Sequence, residues 1–235
     1  MTVRHIAAVK TARYVVLGPE AGPVSEVWVA CHGYGQLAAF FARHFRSVER
    51  PQRLVLVPEG LSRFYLDPGS SPGQAPGSFG RYERVAASWM TRDDRETDIA
   101  DTNRFLDDVL VAACTRADVD VRTVPLVGFG FSQGTATVTR WLAQSPLVRQ
   151  RDERVRRLVL WGGGLPHDLD LAAEHGWLAT ADLTLVAGDR DGLATPARVM
   201  EQERRMTAAN VPHRVVSFAG EHRLCLLYTS DAADE

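Results

Sequence analysis

Two glycines flank a serine in Gly130-Phe131-Ser132-Gln133-Gly134, between the apolar run Pro125–Phe129 and the helix-compatible stretch Thr135–Ala143. A serine hydroxyl is a poor nucleophile until a neighbouring base takes its proton. A tight strand-to-helix turn supplies the other requirement, exposure. Small residues at 130 and 134 admit neighbouring backbone, force Ser132 into a strained conformation and raise its hydroxyl above the sheet at a helix N-terminus, where positive dipole favours developing negative charge. The chemistry suited to such a group is acyl transfer. The plain alternative is a serine helix cap between turn glycines.

Acyl transfer passes through a tetrahedral oxyanion that needs two backbone N–H donors. The residue after the serine, Gln133, is one source. The other is the turn Cys31-His32-Gly33-Tyr34-Gly35-Gln36 after the run Glu26–Ala30, with Tyr34 N–H the best candidate. The turn lacks both the glycine pattern of a dinucleotide loop and a phosphate-loop lysine. An imidazole base and an orienting carboxylate complete the requirement. Two aspartates compete in Gly188-Asp189-Arg190-Asp191-Gly192. Asp191 is favoured by its spacing to Pro196, which sets it on the loop before a helix, and Asp189 is the fallback. Of seven histidines, only His222 follows the last strand-like run, 31 residues after Asp191. Glu221 beside it is a second carboxylate that either acts on the imidazole or faces solvent. His32, next to the oxyanion turn, reads as structural.

These residues must be brought together by the elements between them. Short, continuous apolar runs at 26–33, 53–60, 123–130, 157–164, 183–189 and 214–220 read as strands buried on both faces. Helix-like segments at 36–45, 95–113, 132–143 and 195–208 alternate with them, the last opening on Thr195-Pro196, a cap followed by proline at the first helical position. Two runs within 6–17 suggest an opening hairpin. This alternation predicts an α/β fold, a mostly parallel sheet with helices on both faces and its site beyond the carboxyl ends of the strands. Residues 67–80, rich in Gly, Pro and Ser, read as a mobile surface loop.

With 235 residues, 45% hydrophobic and 24% charged, the chain has material for one core and is not expected to be disordered. A net charge of −2 gives no basic excess for nucleic acid, and no apolar run is long enough to span a bilayer. Three widely spaced cysteines (Cys31, Cys114, Cys225) form neither a disulfide framework nor a zinc pattern. The expectation is a soluble, cytoplasmic protein of undetermined oligomeric state.

In order and spacing, the segments HGYGQ (32–36), PEGLSRFYL (58–66), ASWM (87–90), 94–102, GFSQG (130–134), GDRD (188–191) and GEHRL (220–224) resemble the phospholipase/carboxylesterase branch of the α/β-hydrolase superfamily, which includes acyl-protein thioesterases. The resemblance covers roughly 25–224. It implies an α/β-hydrolase fold, a Ser132–Asp191–His222 triad, oxyanion donors on Tyr34 and Gln133, and hydrolysis of small-molecule carboxylic esters through an acyl-serine, with no metal or organic cofactor. Thioesterase, peptidase or perhydrolase chemistry on the same triad, or a non-catalytic binding protein, are the alternatives. The chain has Gly-Glu-His where the family usually has Gly-Gly-His. Phe64, Tyr65, Trp89 and Met90 fall after strand ends and are candidates for an apolar substrate site suited to short or medium acyl chains. The last eleven residues, CLLYTSDAADE (225–235), resemble a translated sequencing adapter. They are expected to be non-native, which leaves a single domain over 1–224 and the family's closing C-terminal helix missing.

Overall fold

The computed structural model describes residues 1–66 and 84–225. Seven strands form one sheet in the order β1 (Tyr14–Leu17), β3 (Arg53–Pro58), β2 (Glu26–Cys31), β6 (Leu126–Phe131), β7 (Arg157–Trp161), β8 (Asp182–Gly188), β9 (Arg214–Phe218). Every pairing is parallel except that of β1 with β3. The runs of β2, β3, β6, β7 and β8 are continuous and apolar because each of these strands is buried on both faces. Val27, Val29, Leu54, Leu126, Leu158 and Leu185 point into one core. That core is closed by α2 (Arg95–Ala117), α3 (Gln133–Gln144) and Met206 of α6 (Pro196–Ala208). Trp28, Val55, Phe129, Val159 and Trp161 point to the opposite face. There, α1 (Ala38–Phe41) and the 3-10 segment Ala42–Val48 contribute Phe41, Phe45 and Val48.

The apolar stripe of α2 is buried at Ile99, Leu106, Val109 and Leu110, with Phe105 partly buried against the same core. Thr195 caps α6 by accepting a hydrogen bond from Arg198 N–H, with Pro196 following. Two short helices, α4 (Pro146–Arg149) and α5 (His175–Leu178), fill connections that the sequence leaves without a period.

The opening hairpin is a correction. Residues 6–10 form no strand, and β1 pairs instead with β3, in the register Val15–Val57. A second sheet, unpredicted, joins β4 (Ser62–Tyr65) to β5 (Val85–Ser88) antiparallel. The whole of the 67–80 loop expectation, and residues 226–235 of the tail, lie outside the described residues. Among the described residues, no helix is long and apolar enough to cross a membrane.

The chain leaves β2 towards β3 on one side and returns to β6 on the other. The sheet order therefore reverses between β2 and β6, which pair through Cys31 and Gly130. A crevice opens beyond the carboxyl ends of two such strands. Their next residues are His32-Gly33-Tyr34 and Ser132.

Candidate active site

Ser132 has φ 53° and ψ −117°, a region in which a side chain is strained. Three observations explain why it persists. Ser132 N–H donates to Trp161 O at 2.8 Å, and Ser132 O accepts from Thr135 N–H at 3.0 Å and from Thr135 Oγ1 at 2.7 Å. A Cβ on Gly134 would lie 2.0 Å from Cys31 O, and one on Gly130 would lie 2.5 Å from Gly134 O. The two glycines therefore permit main chain to pack on main chain, locking the serine turn against the end of β2.

His222 joins the hydroxyl to a carboxylate. Its Nε2 is 2.9 Å from Ser132 Oγ, and its Nδ1 is 2.8 Å from Asp191 Oδ2. A carboxylate only accepts, so Nδ1 carries the hydrogen and Nε2 is left to accept the serine proton. Asp191 is 3% exposed, and its second oxygen accepts Leu193 N–H at 2.8 Å and Ala194 N–H at 2.7 Å, which fixes the carboxylate plane. Between Asp189 and Asp191, geometry separates the roles. Asp189 Oδ1 accepts Gly220 N–H at 2.8 Å, while Asp189 N–H donates to Phe218 O and Arg190 N–H to Gly220 O, both at 2.9 Å. Asp189 thus clamps the carboxylate loop to the imidazole loop. Phe131 lies against the His222 ring, centroids 5.0 Å apart. Glu221 is exposed.

The turn after β2 consumes its own donors selectively. Gly33 N–H goes to Gln36 Oε1 at 2.8 Å, Gln36 N–H to Gly33 O at 3.2 Å and Gly35 N–H to Ala87 O at 2.9 Å. Tyr34 N–H has no protein acceptor among the described residues, nor does Gln133 N–H, which opens α3 where no intrahelical acceptor exists. The Gln133 side chain is tied to Ser88 Oγ at 3.1 Å and to Met90 O at 3.3 Å through its Nε2.

His32 is structural. It is fully buried and lies against Trp89, centroids 4.6 Å apart and the rings tilted by 33°. Its Nδ1 meets Gly33 O at 2.7 Å and its Nε2 accepts Gly60 N–H at 3.0 Å. Burial lowers its pKa from 6.5 to about 4. The neutral ring with hydrogen on Nδ1 is the form that satisfies both bonds.

A cavity of about 800 Å³ includes Ser132 in its lining. The residues expected to line an apolar site are placed elsewhere. Trp89 is 2% exposed, beneath His32, with its Nε1–H on His32 O at 2.7 Å. Met90 borders a separate small cleft, Phe64 lies against the Tyr34 ring at 5.4 Å, and Tyr65 is exposed. The cavity wall comes instead from Gly162–Asp168 after β7, from Arg95 and Arg140 of α2 and α3, and from Leu193–Gln202. The signal that would have found the first of these is positional: 162–168 follows a parallel strand. The Gln202 side-chain oxygen is buried without a partner among the described residues.

No protein-family model matches the chain, and no curated protein matches it by sequence. Solved structures do match in fold. A carboxylesterase of Bacillus cereus is 18% identical with TM-score 0.63, covering 95% of this chain and 92% of its own. An acyl-protein thioesterase 2 of Zea mays is 15% identical with TM-score 0.65, covering 95% and 96%. A carboxylesterase of Mesorhizobium loti is 16% identical with TM-score 0.63, covering 94% and 92%. The chain has the α/β-hydrolase fold.

Proposed function

We propose that this protein is a serine hydrolase of the phospholipase/carboxylesterase type, cleaving carboxylic esters through an acyl-Ser132 intermediate. The observation that carries the reading is the unbroken hydrogen-bonded path from Ser132 Oγ through His222 to Asp191, at 2.9 and 2.8 Å. It is supported by the esterases and thioesterase that share the fold.

His222 Nε2 removes the Ser132 proton as Oγ attacks the ester carbonyl, and the resulting imidazolium is stabilised by the buried Asp191 carboxylate. The carbonyl oxygen becomes negative and takes the two unclaimed donors, Tyr34 N–H and Gln133 N–H. The imidazolium then protonates the leaving alcohol, the acyl–oxygen bond breaks, and water repeats the sequence to release the acid. The strained turn keeps Oγ on the side of the imidazole throughout, so little reorganisation is required on the way to the transition state.

The test is Ser132→Ala. Hydrolysis of a chromogenic acetate or butyrate ester should fall by about a thousandfold or more, with circular dichroism and thermal unfolding unchanged. A fluorophosphonate should label the parent protein at Ser132 and fail on the variant. Turnover retained by the variant overturns the proposal.

A further inference from the structure

The charged groups on the cavity wall do not balance. Asp168 receives Arg140 on both oxygens, Nε at 3.1 Å and Nη2 at 2.8 Å, and also Arg95 Nη2 at 2.6 Å. Arg95 further reaches Glu96 on the outside. Glu201, the other acid on the wall, is paired with Arg204 at 2.6 Å. Arg198 donates to Leu193 O at 2.7 Å and has no carboxylate partner among the described residues. Behind the wall, Arg205 donates to Leu165 O, Pro166 O and Leu169 O at 2.6–3.1 Å. Its guanidinium therefore adds a further positive charge beside Asp168.

Titration does not relieve the excess. Arg140 is 7% exposed, and its bonds to Asp168 hold that carboxyl well below the usual carboxylate range. Gln202 adds a buried amide oxygen without a partner among the described residues on the same wall, and a half-turn of the amide would present N–H there instead. A neutral long acyl chain laid along this wall would strip water from guanidinium groups and return nothing. An anionic group would meet planar donors suited to a carboxylate.

We propose that this cavity selects esters whose acyl chain ends in a carboxylate, the half-esters of short dicarboxylic acids, with Arg198, the wall guanidinium without a carboxylate partner among the described residues, reading the charge. The inference rests on the hydrolase reading. Water cleaves the acyl C–O bond, giving the dicarboxylic acid and the alcohol.

The experiment compares kcat/KM for monoethyl glutarate with that for its uncharged counterpart, the ethyl ester of glutaric acid monoamide, on the full chain. The anion should be preferred by about tenfold at low salt, with the preference shrinking as sodium chloride rises. Arg198→Gln should lower the ratio severalfold. Glu201→Gln, which removes an opposing charge from an exposed position, should raise it. A ratio of one or less, or a ratio moved by neither substitution, overturns the inference. Labelling of Ser132 by a fluorophosphonate separates the two failures. With labelling present, loss of the preference, or no turnover of the half-ester, removes this inference alone. With labelling and all ester hydrolysis absent, the hydrolase reading falls and takes the inference with it.

Discussion

His32 makes acid stability a test of how the oxyanion turn is held. In the unfolded chain its imidazole binds a proton below pH 6.5, whereas in the folded chain burial delays protonation to about pH 4. Between these values the unfolded state holds more protons, so stability falls as the pH falls, and the loss is complete below the folded value. Two and a half pH units at 1.36 kcal/mol each give about 3 kcal/mol. Part of this has a visible origin: a proton on Nε2 would face Gly60 N–H at 3.0 Å, donor against donor. The assay is urea unfolding from pH 7.5 to 4 on the parent chain and on His32→Phe, which keeps a flat ring beside Trp89 and cannot titrate. The variant should be less stable at pH 7.5, by about 1–3 kcal/mol for the unpaired Gly60 N–H and Gly33 O. It should then converge on the parent as the pH falls, because carboxylates titrate alike in both. Parallel curves across the whole range would refute the claim that His32 is held neutral.

Asp191→Asn should lower kcat by about four orders of magnitude, because an amide can hold the wrong imidazole tautomer. Asp189→Asn should cost less than about tenfold, since the Asp189 carboxylate holds the Gly220 backbone and pairs with Arg190 rather than with the imidazole; steady-state kinetics of both variants checks the assignment, and equal losses would contradict it. Gly134→Ala places a Cβ 2.0 Å from Cys31 O, where backbone must move. It should cost about 3 kcal/mol or more in thermal or urea unfolding and slow fluorophosphonate labelling beyond what the unfolded fraction explains.

The sequence carries the sheet more plainly than the cavity, for a physical reason. Strands such as Leu126–Phe131 are apolar on both faces and bounded by turn-favouring residues, here Pro125 and Ser132, so a window of six residues is enough to read them. The proposed serine, acid and base are legible because each follows a strand-like run, although the one before His222 is only partly buried. The run at 6–10 has similar composition but finds no strand partner, and composition cannot report pairing. β4 and β5 are four residues each and partly exposed, below the length at which alternation is a signal. The wall of the cavity is hidden differently. Arg95 and Asp168 lie 73 residues apart, and an arginine on a helix reads as a solvated face until tertiary packing turns it inward. Trp89 misleads in the opposite sense: an aromatic after a strand suggests a pocket, yet it is the plate on which His32 rests.

The backbone contact at Gly134 also separates what can drift from what cannot. The groups proposed to react sit on turns whose main chains interlock, so nearly every substitution there disturbs several partners at once. In the reading proposed above, selection of the guest molecule falls to side chains on α6 and on residues 165–168, whereas a side chain at Gly162 or Gly163 would press on His222 or Thr135. A combinatorial library confined to positions 193–202 should therefore yield altered preferences at high frequency while sparing the apparatus that breaks the bond.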